Sequence, residues 1–208
     1  MTVPASAPPE RSTVTQPTRL AYQPKIGVHK NVAEIDFVSL YPAIMVHFNI
    51  SPETILPDPD AENVVPALGL AIDTSQDGLI PKALRPLLEK RIEMKKHLAS
   101  TPNWDPFRKN FKHRASALKW LLVTCFGYLG YKNARFGRIE AHQAVTAYGR
   151  EALLRAKEAA EDLGYRVIQL YVDGLWVQHP DKTEPENIEP LLLEIQERTG
   201  LPISLDGI

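Results

Sequence analysis

Two short apolar runs, each breaking at an aspartate, constrain this chain more than any other feature. Asp36 lies in AEIDFVSLYPAIM, from Ala33 to Met45, and Asp173 lies in VIQLYVDGLWV, from Val167 to Val177. β-branched and aromatic residues that stop at a polar or Asp-Gly step read as strands ending in turns. Carboxylates at the ends of adjacent strands can share a pair of divalent cations, an arrangement suited to phosphoryl and nucleotidyl transfer. Each aspartate also has a plainer reading. Asp173-Gly174 is a hairpin-turn signal in its own right, and Asp36 could be an acid stabilised by the dipole of a following helix.

Between the two aspartates the charge is lopsided. From Lys82 to Lys119 there are eleven Lys/Arg residues, opposed only by Glu89, Glu93 and Asp105, although the whole chain carries a formal net charge of -1. Such a block is either a solvated pair of helix faces or a surface for a polyanion. Cys125 is the single cysteine, which excludes a disulfide framework and a cysteine-built metal centre. The six histidines show no metal-ligand spacing. The chain has no signal peptide and no apolar stretch of membrane-spanning length, so a cytoplasmic location is the default expectation.

At 208 residues the chain is expected to be one domain with a small insertion. Residues 1–23 are rich in Pro, Ser and Thr and are expected to form a flexible tail. A strand over 32–37 leads into a helix over 39–48, with Pro42 tolerated in its first turn. Residues 51–78, rich in Pro and Asp, are expected to be irregular. Two helices follow, the first with apolar positions Leu84, Leu87, Leu88, Ile92 and Leu98, the second with Phe111, Ala115, Leu118, Leu122 and Cys125. Their join, around 101–106, reads as the tip of a helical hairpin. A third helix over 142–163, strands over 166–170 and 175–178, a helix over 185–199 and a strand over 203–206 complete an α+β order with helices on one face.

These residues resemble the DNA polymerases of family B. DFVSLYPAIM resembles motif A, usually D-x-x-S-L-Y-P-S-I-I, and HFNISPETI extends the match. LLEKRIEMKKHL resembles the fingers helix, and ALKWLLVTCFGYLGY resembles motif B, K-x-x-x-N-S-x-Y-G. AVTAYGREAL resembles the palm helix, and GYRVIQLYVDGLWV resembles motif C, normally built on D-T-D. Several motifs in the family's order make the resemblance specific where one alone is weak. It implies a polymerase palm, an antiparallel sheet with helices on one face, carrying an inserted helical-hairpin fingers subdomain. Residues 24–78 would form the first part of the palm, 79–133 the fingers and 134–208 the second part of the palm, truncated before the thumb.

The resemblance also implies residue roles. Asp36 and Asp173 would be the catalytic carboxylates and, with the Phe37 carbonyl, would hold two Mg²⁺. Backbone groups around Ser39 and Leu40 would meet the triphosphate at a helix N-terminus, where free N–H groups favour anions. Tyr41 would lie under the sugar and reject a ribose 2′-hydroxyl. Arg91, Lys95 and Lys119 would neutralise the triphosphate, and Gly127 would let the second fingers helix approach the nascent base pair. Primer–template DNA and deoxynucleoside triphosphates are the implied partners, with a companion chain supplying the exonuclease or thumb.

The match has departures. Placing Asp173 on the first Asp of D-T-D would leave Leu175 at the second. Aligning Gly164, Val167 and the Asp-Gly step without gaps puts Asp173 on the second Asp and Tyr171 on the first, and this register keeps the spacing from helix cap to turn. Val123, Thr124 and Phe126 stand for the Asn, Ser and Tyr of motif B, and Ala43 replaces the second Ser of motif A. The pattern is reminiscent of a divergent branch with an altered motif C, without exonuclease or thumb. The alternative expectation is a catalytically impaired, polymerase-like DNA-binding or scaffold subunit.

Overall fold

The computed structural model of the chain describes residues 21–22 (as backbone only), 24–58, 61–182 and 184–208. A five-stranded sheet is its foundation. The strands are β1 (Ala21–Tyr22), β2 (Val32–Phe37), β5 (Arg166–Tyr171), β6 (Gly174–Gln178) and β7 (Ile203–Gly207). They lie in the order β1-β5-β6-β2-β7, and every pairing is antiparallel. The tail expected over residues 1–23 falls outside the described residues except at Ala21–Tyr22, which pairs with Tyr171 and Leu170.

Alternation along β2 decides which face is which. Ala33, Ile35 and Phe37 are buried, while Glu34 is exposed and Asp36 partly so. A slip of one residue would turn Asp36 into the core and Ile35 out of it, so burial of the apolar set fixes the register. Against the covered face pack α4 (Ile139–Asp162) and α5 (Pro185–Thr199). α4 presents Ala144, Ala152, Ala156, Ala159 and Ala160 to the core, small residues that let it lie close to the strands. Leu163 and Gly164, the latter at φ +82°, end α4, and the Tyr165 N–H donates back to the Ala160 carbonyl at 2.8 Å. Glycine suits a left-handed residue at this position.

The segment expected to be irregular over 51–78 carries more order than its composition implies. A 3₁₀ turn, Pro52–Thr54, leads into β3 (Ile55–Leu56), which pairs with β4 (Ala71–Ile72) as a separate two-stranded ribbon. Asn49 ties the excursion together. Its amide donates to the Asp73 and Gln76 carbonyls at 2.8 and 2.9 Å, and its Oδ1 accepts from the Gly78 N–H at 2.7 Å.

From there the chain rises into α2 (Leu79–Ser100) and returns through α3 (Arg108–Leu129), two 22-residue helices packed side by side. Both also contact α1 (Leu40–His47), which follows β2 directly. The helical hairpin therefore stands over the junction of β2 and α1. Among the described residues no helix is long and apolar enough to cross a membrane.

Candidate active site

Three strands converge on Asp36. On β6 its partner is Gly174, and on β7 it is Ser204. Asp173 sits one residue before β6, and its carbonyl accepts the Phe37 N–H at 2.9 Å. The hairpin between β5 and β6 therefore ends beside β2, and the two aspartates are neighbours across strands. Gly174 lies under the Asp36 carboxylate. A Cβ there would be 3.1 Å from the Ile35 carbonyl oxygen and 3.6 Å from Asp36 Oδ1.

The turn that carries Asp173 is strained. Val172 has φ +57°, and the Asp173 N–H closes back on the Tyr171 carbonyl at 2.7 Å. A β-branched residue at positive φ is held there only by its surroundings, and such strain gathers at functional sites. Leu175, which the rejected alignment of motif C would bring into the site, is wholly buried opposite Ile35 on the core side. Tyr171 is half exposed at the end of β5.

A third carboxylate joins the pair. Asp206 and Ser204 alternate along β7, so both share the open face with Asp36. Ser204 Oγ donates to Asp206 Oδ1 at 3.0 Å, and Lys95 Nζ reaches Asp206 Oδ1 at 3.7 Å and Ser204 Oγ at 3.3 Å. Sequence reasoning gave Asp206 no role. The available signal was that it ends a strand in alternation, as the other two aspartates end theirs.

The electrostatics follow from this crowding. The Asp36 carboxyl is pushed up to about 7, first by burial and then by the negative charges of Asp173 and Asp206. Lys95 and Lys119 pull in the opposite direction without cancelling them. A site that makes a carboxylate this reluctant to ionise is short of positive charge. Among the described residues, no three acidic, His or Cys side chains close into a ready metal cage. Mg²⁺ needs none, because it commonly binds through one or two carboxylates together with waters and substrate phosphates. The oxygen donors of Asp36 and Asp173 fit that chemistry.

The remaining expected residues lie on α1 and its N-cap, on α2 and on α3. Lys95 and Lys119 lie near the carboxylates, and Lys119 itself is exposed. Ser39 caps α1 in a left-handed conformation, φ 56° and ψ 53°, and the Leu40 side chain is buried. Arg91 is 8% exposed and bridges two elements: Nε donates to Ser39 Oγ at 2.8 Å and Nη1 to the Ala115 carbonyl at 2.7 Å. Burial lowers its pKa from the usual value, partly offset by Asp36. The Arg91 guanidinium thus braces the loop after β2 against α3.

Tyr41 stacks on Phe126 with centroids 4.2 Å apart, and Phe126 stacks in turn on His142 at 4.3 Å. The three rings come from α1, α3 and α4, and His142 was not expected among them. Gly127 is different again. It lies exposed in the last turn of α3, and a Cβ there would meet nothing within 4 Å. Packing within the chain therefore does not require glycine at 127.

Comparison with known proteins places this arrangement. The family model described as DNA polymerase family B matches residues 12–186. The chain is 36% identical over 178 residues to "DNA polymerase 2" of Saccharolobus solfataricus, covering 86% of this chain and 25% of that one. It is 34% identical over 208 residues to "DNA polymerase 2" of Aeropyrum pernix, with 96% and 25% covered. Among solved structures, the family B DNA polymerase of the hyperthermophilic archaeon Pyrobaculum calidifontis superposes with a TM-score of 0.69 at 34% identity, covering 88% of this chain and 24% of the other. The chain spans about a quarter of the length of these relatives.

Proposed function

The chain belongs to DNA polymerase family B, and from that premise we propose that it is the palm-and-fingers core of a DNA-directed DNA polymerase. The observation that carries the reading is the trio Asp36 on β2, Asp206 on β7 and Asp173 in the turn before β6, faced by Lys95 and Lys119. The sheet is the palm and the α2–α3 hairpin is the fingers.

The reaction is template-directed nucleotidyl transfer. The primer 3′-hydroxyl gives up its proton to water, its oxygen bonds to the α-phosphorus of a deoxynucleoside triphosphate, the bond from that phosphorus to the bridging oxygen breaks, and pyrophosphate leaves. Asp36, Asp173 and the Phe37 carbonyl would hold two Mg²⁺. When bound, such ions polarise the phosphoryl oxygens and stabilise the attacking and leaving oxygens. Asp36 takes its ionised form, the one that would ligate a cation, as pH rises through about 7.

Substrate contacts follow from the elements around the carboxylates. The first backbone N–H groups of α1, at Leu40 and Tyr41, lie where a helix N-terminus favours a phosphate. Lys95 and Lys119 supply the positive charge that the three carboxylates lack and meet the triphosphate. Arg91 acts from behind Ser39, where its buried guanidinium holds the loop after β2 beside the triphosphate position. Tyr41, propped by Phe126, faces the sugar. The open space over Gly127 receives the nascent base pair.

Gly127 separates stability from function. An alanine there meets no atom of the chain and, in the last turn of a helix, is favoured over glycine by at most about 0.5–1 kcal/mol. Gly127→Ala is therefore expected to raise the unfolding free energy by up to that amount while slowing nucleotide addition several-fold. Urea unfolding and single-nucleotide extension check the two halves. A variant that is more stable and equally fast would remove Gly127 from the base-pair contact.

The reading as a whole is tested by extension of a primed DNA template with Mg²⁺ and the four deoxynucleotides, with a chelator control. Metal-dependent extension supports it. Binding to primed DNA without extension favours the second reading, a polymerase-like scaffold. That reading has its own support in Val123, which is exposed where the family carries an amide side chain, and in Thr124, whose hydroxyl is turned back onto the Trp120 and Leu121 carbonyls.

A further inference from the structure

Three aromatic rings from three helices form one column, and its far end, His142, has no part in the proposed chemistry. The Tyr41 ring of α1 lies 4.2 Å from that of Phe126 on α3, with 24° between the planes. Phe126 lies 4.3 Å from the His142 imidazole of α4, at 17°. Both ends of the column rest on α4. His142 and Gly149 are two turns apart on that helix and share a face. At the other end the Tyr41 ring lies close over α4, where a Cβ on Gly149 would stand 3.4 Å from Tyr41 Cε1. Between the two positions α4 rises about 10.5 Å, a length that the two ring steps nearly fill.

The His142 end of the column is closed. Gly130 ends α3, and a Cβ placed there would stand 2.6, 3.0 and 3.1 Å from Cδ2, Cγ and Nε2 of the His142 ring, its three nearest atoms. The Gly130 backbone, at φ −85° and ψ −5°, is one that any residue adopts. Glycine at 130 is therefore a matter of space for the imidazole, not of backbone freedom. Burial lowers the His142 pKa from its usual value, so at about pH 8 the ring is neutral and packs as an aromatic. Confined by Phe126 and by the end of α3, it has little room to shift. In a close-packed contact that confinement is passed on to the next ring.

We propose that His142 is a positioning residue for sugar selection: through Phe126 it keeps Tyr41 from retreating. It touches no substrate itself. A ring under the sugar rejects a ribose only if it cannot yield to the extra 2′-hydroxyl. A column fixed at its far end yields less than a ring with space behind it. A deoxyribose puts no atom in that space, so it does not press on the column. Loss of His142 therefore eases the use of ribonucleotides and leaves the use of deoxynucleotides nearly as it was. The inference rests on the polymerase reading, with Tyr41 facing the sugar.

The test is single-nucleotide incorporation of dATP and of ATP opposite a template thymidine by the full chain, with kcat/KM measured for each. His142→Ala is expected to lower the preference for dATP about fivefold, through better use of ATP, with kcat/KM for dATP within about twofold of the parent. Gly130→Ala keeps the imidazole but displaces it, and should lower the preference in the same direction by about twofold or more. Where Tyr41→Ala has already removed the ring under the sugar, adding His142→Ala should change the preference by less than about twofold. Melting curves check that each variant is folded, and if His142→Ala is not, Gly130→Ala decides alone. A parental preference in the folded variants, an equal fall in the use of both nucleotides, or a full His142→Ala effect in the Tyr41→Ala background would each overturn the proposal. Failure of the polymerase reading looks different: the parent chain adds neither nucleotide, and the proposal falls with it.

Discussion

Asp36→Asn is expected to abolish nucleotide addition and, at about pH 8, to make the chain harder to unfold. The first effect follows from the loss of a charged oxygen ligand at the proposed cation site, with a rate loss of about 10³-fold or more. The second follows from linkage. The Asp36 carboxyl is held at about 7 in the folded chain against an ordinary 3.8, so between those values the folded state holds a proton that the unfolded state has released. The native advantage is complete below about pH 4, falls as pH rises and is gone above about 7. Taken at face value the separation is worth about 4 kcal/mol, and solvent around a partly exposed group reduces it to about 2. A neutral amide escapes that cost. Urea unfolding in chelator should show the variant gaining about 2 kcal/mol near pH 8 and almost nothing near pH 4. An equal difference at both pH values would mean that charge crowding at Asp36 is not the cause.

Arg91→Ala is expected to lower the unfolding free energy by about 2–3 kcal/mol. The buried guanidinium serves Ser39 Oγ and the Ala115 carbonyl at once, and truncation leaves a cavity where α2, α3 and the loop after β2 meet. On a total stability of about 5–15 kcal/mol this is a large share. Arg91→Lys should recover only part of it, because an ammonium cannot reproduce the planar fork that reaches both acceptors. Thermal or urea unfolding decides the matter, and a loss below about 0.5 kcal/mol would remove the bracing role.

How much of this was legible in the sequence depended on the range of the interactions involved. β2 at Val32–Phe37 and α5 at Pro185–Thr199 have the bounds that their periodicity predicts, because alternation and helical spacing are local. The hairpin helices contain their whole apolar stripes and run two to five residues beyond them at each end. The β3–β4 ribbon was not legible, since its order comes from Asn49 reaching Asp73, Gln76 and Gly78 across more than twenty positions. The sheet order was equally hidden, because nothing local says that β7 closes on β2.

In the site, the nearness of Asp173, Lys95 and Lys119 to Asp36 could be anticipated from motifs in a known order. Asp206 was missed because a lone aspartate at the end of a strand carries no motif, and it becomes conspicuous only once Ser204 is found opposite Asp36. Arg91 was expected at the triphosphate. Its bond to Ser39, 52 positions away, could not be read from spacing. His142 has no metal-ligand spacing to mark it, and its stacking on Phe126 is a tertiary contact that spacing does not reveal.

The central claim is that the carboxylates of β2 and of the β5–β6 hairpin work as a pair in metal-dependent nucleotidyl transfer. The most direct measurement is primer extension by the full chain with Mg²⁺ and four deoxynucleotides, run beside Asp173→Ala. Extension by the parent chain and its loss in the variant, with both melting alike, is the predicted result. Extension that survives Asp173→Ala would contradict the claim.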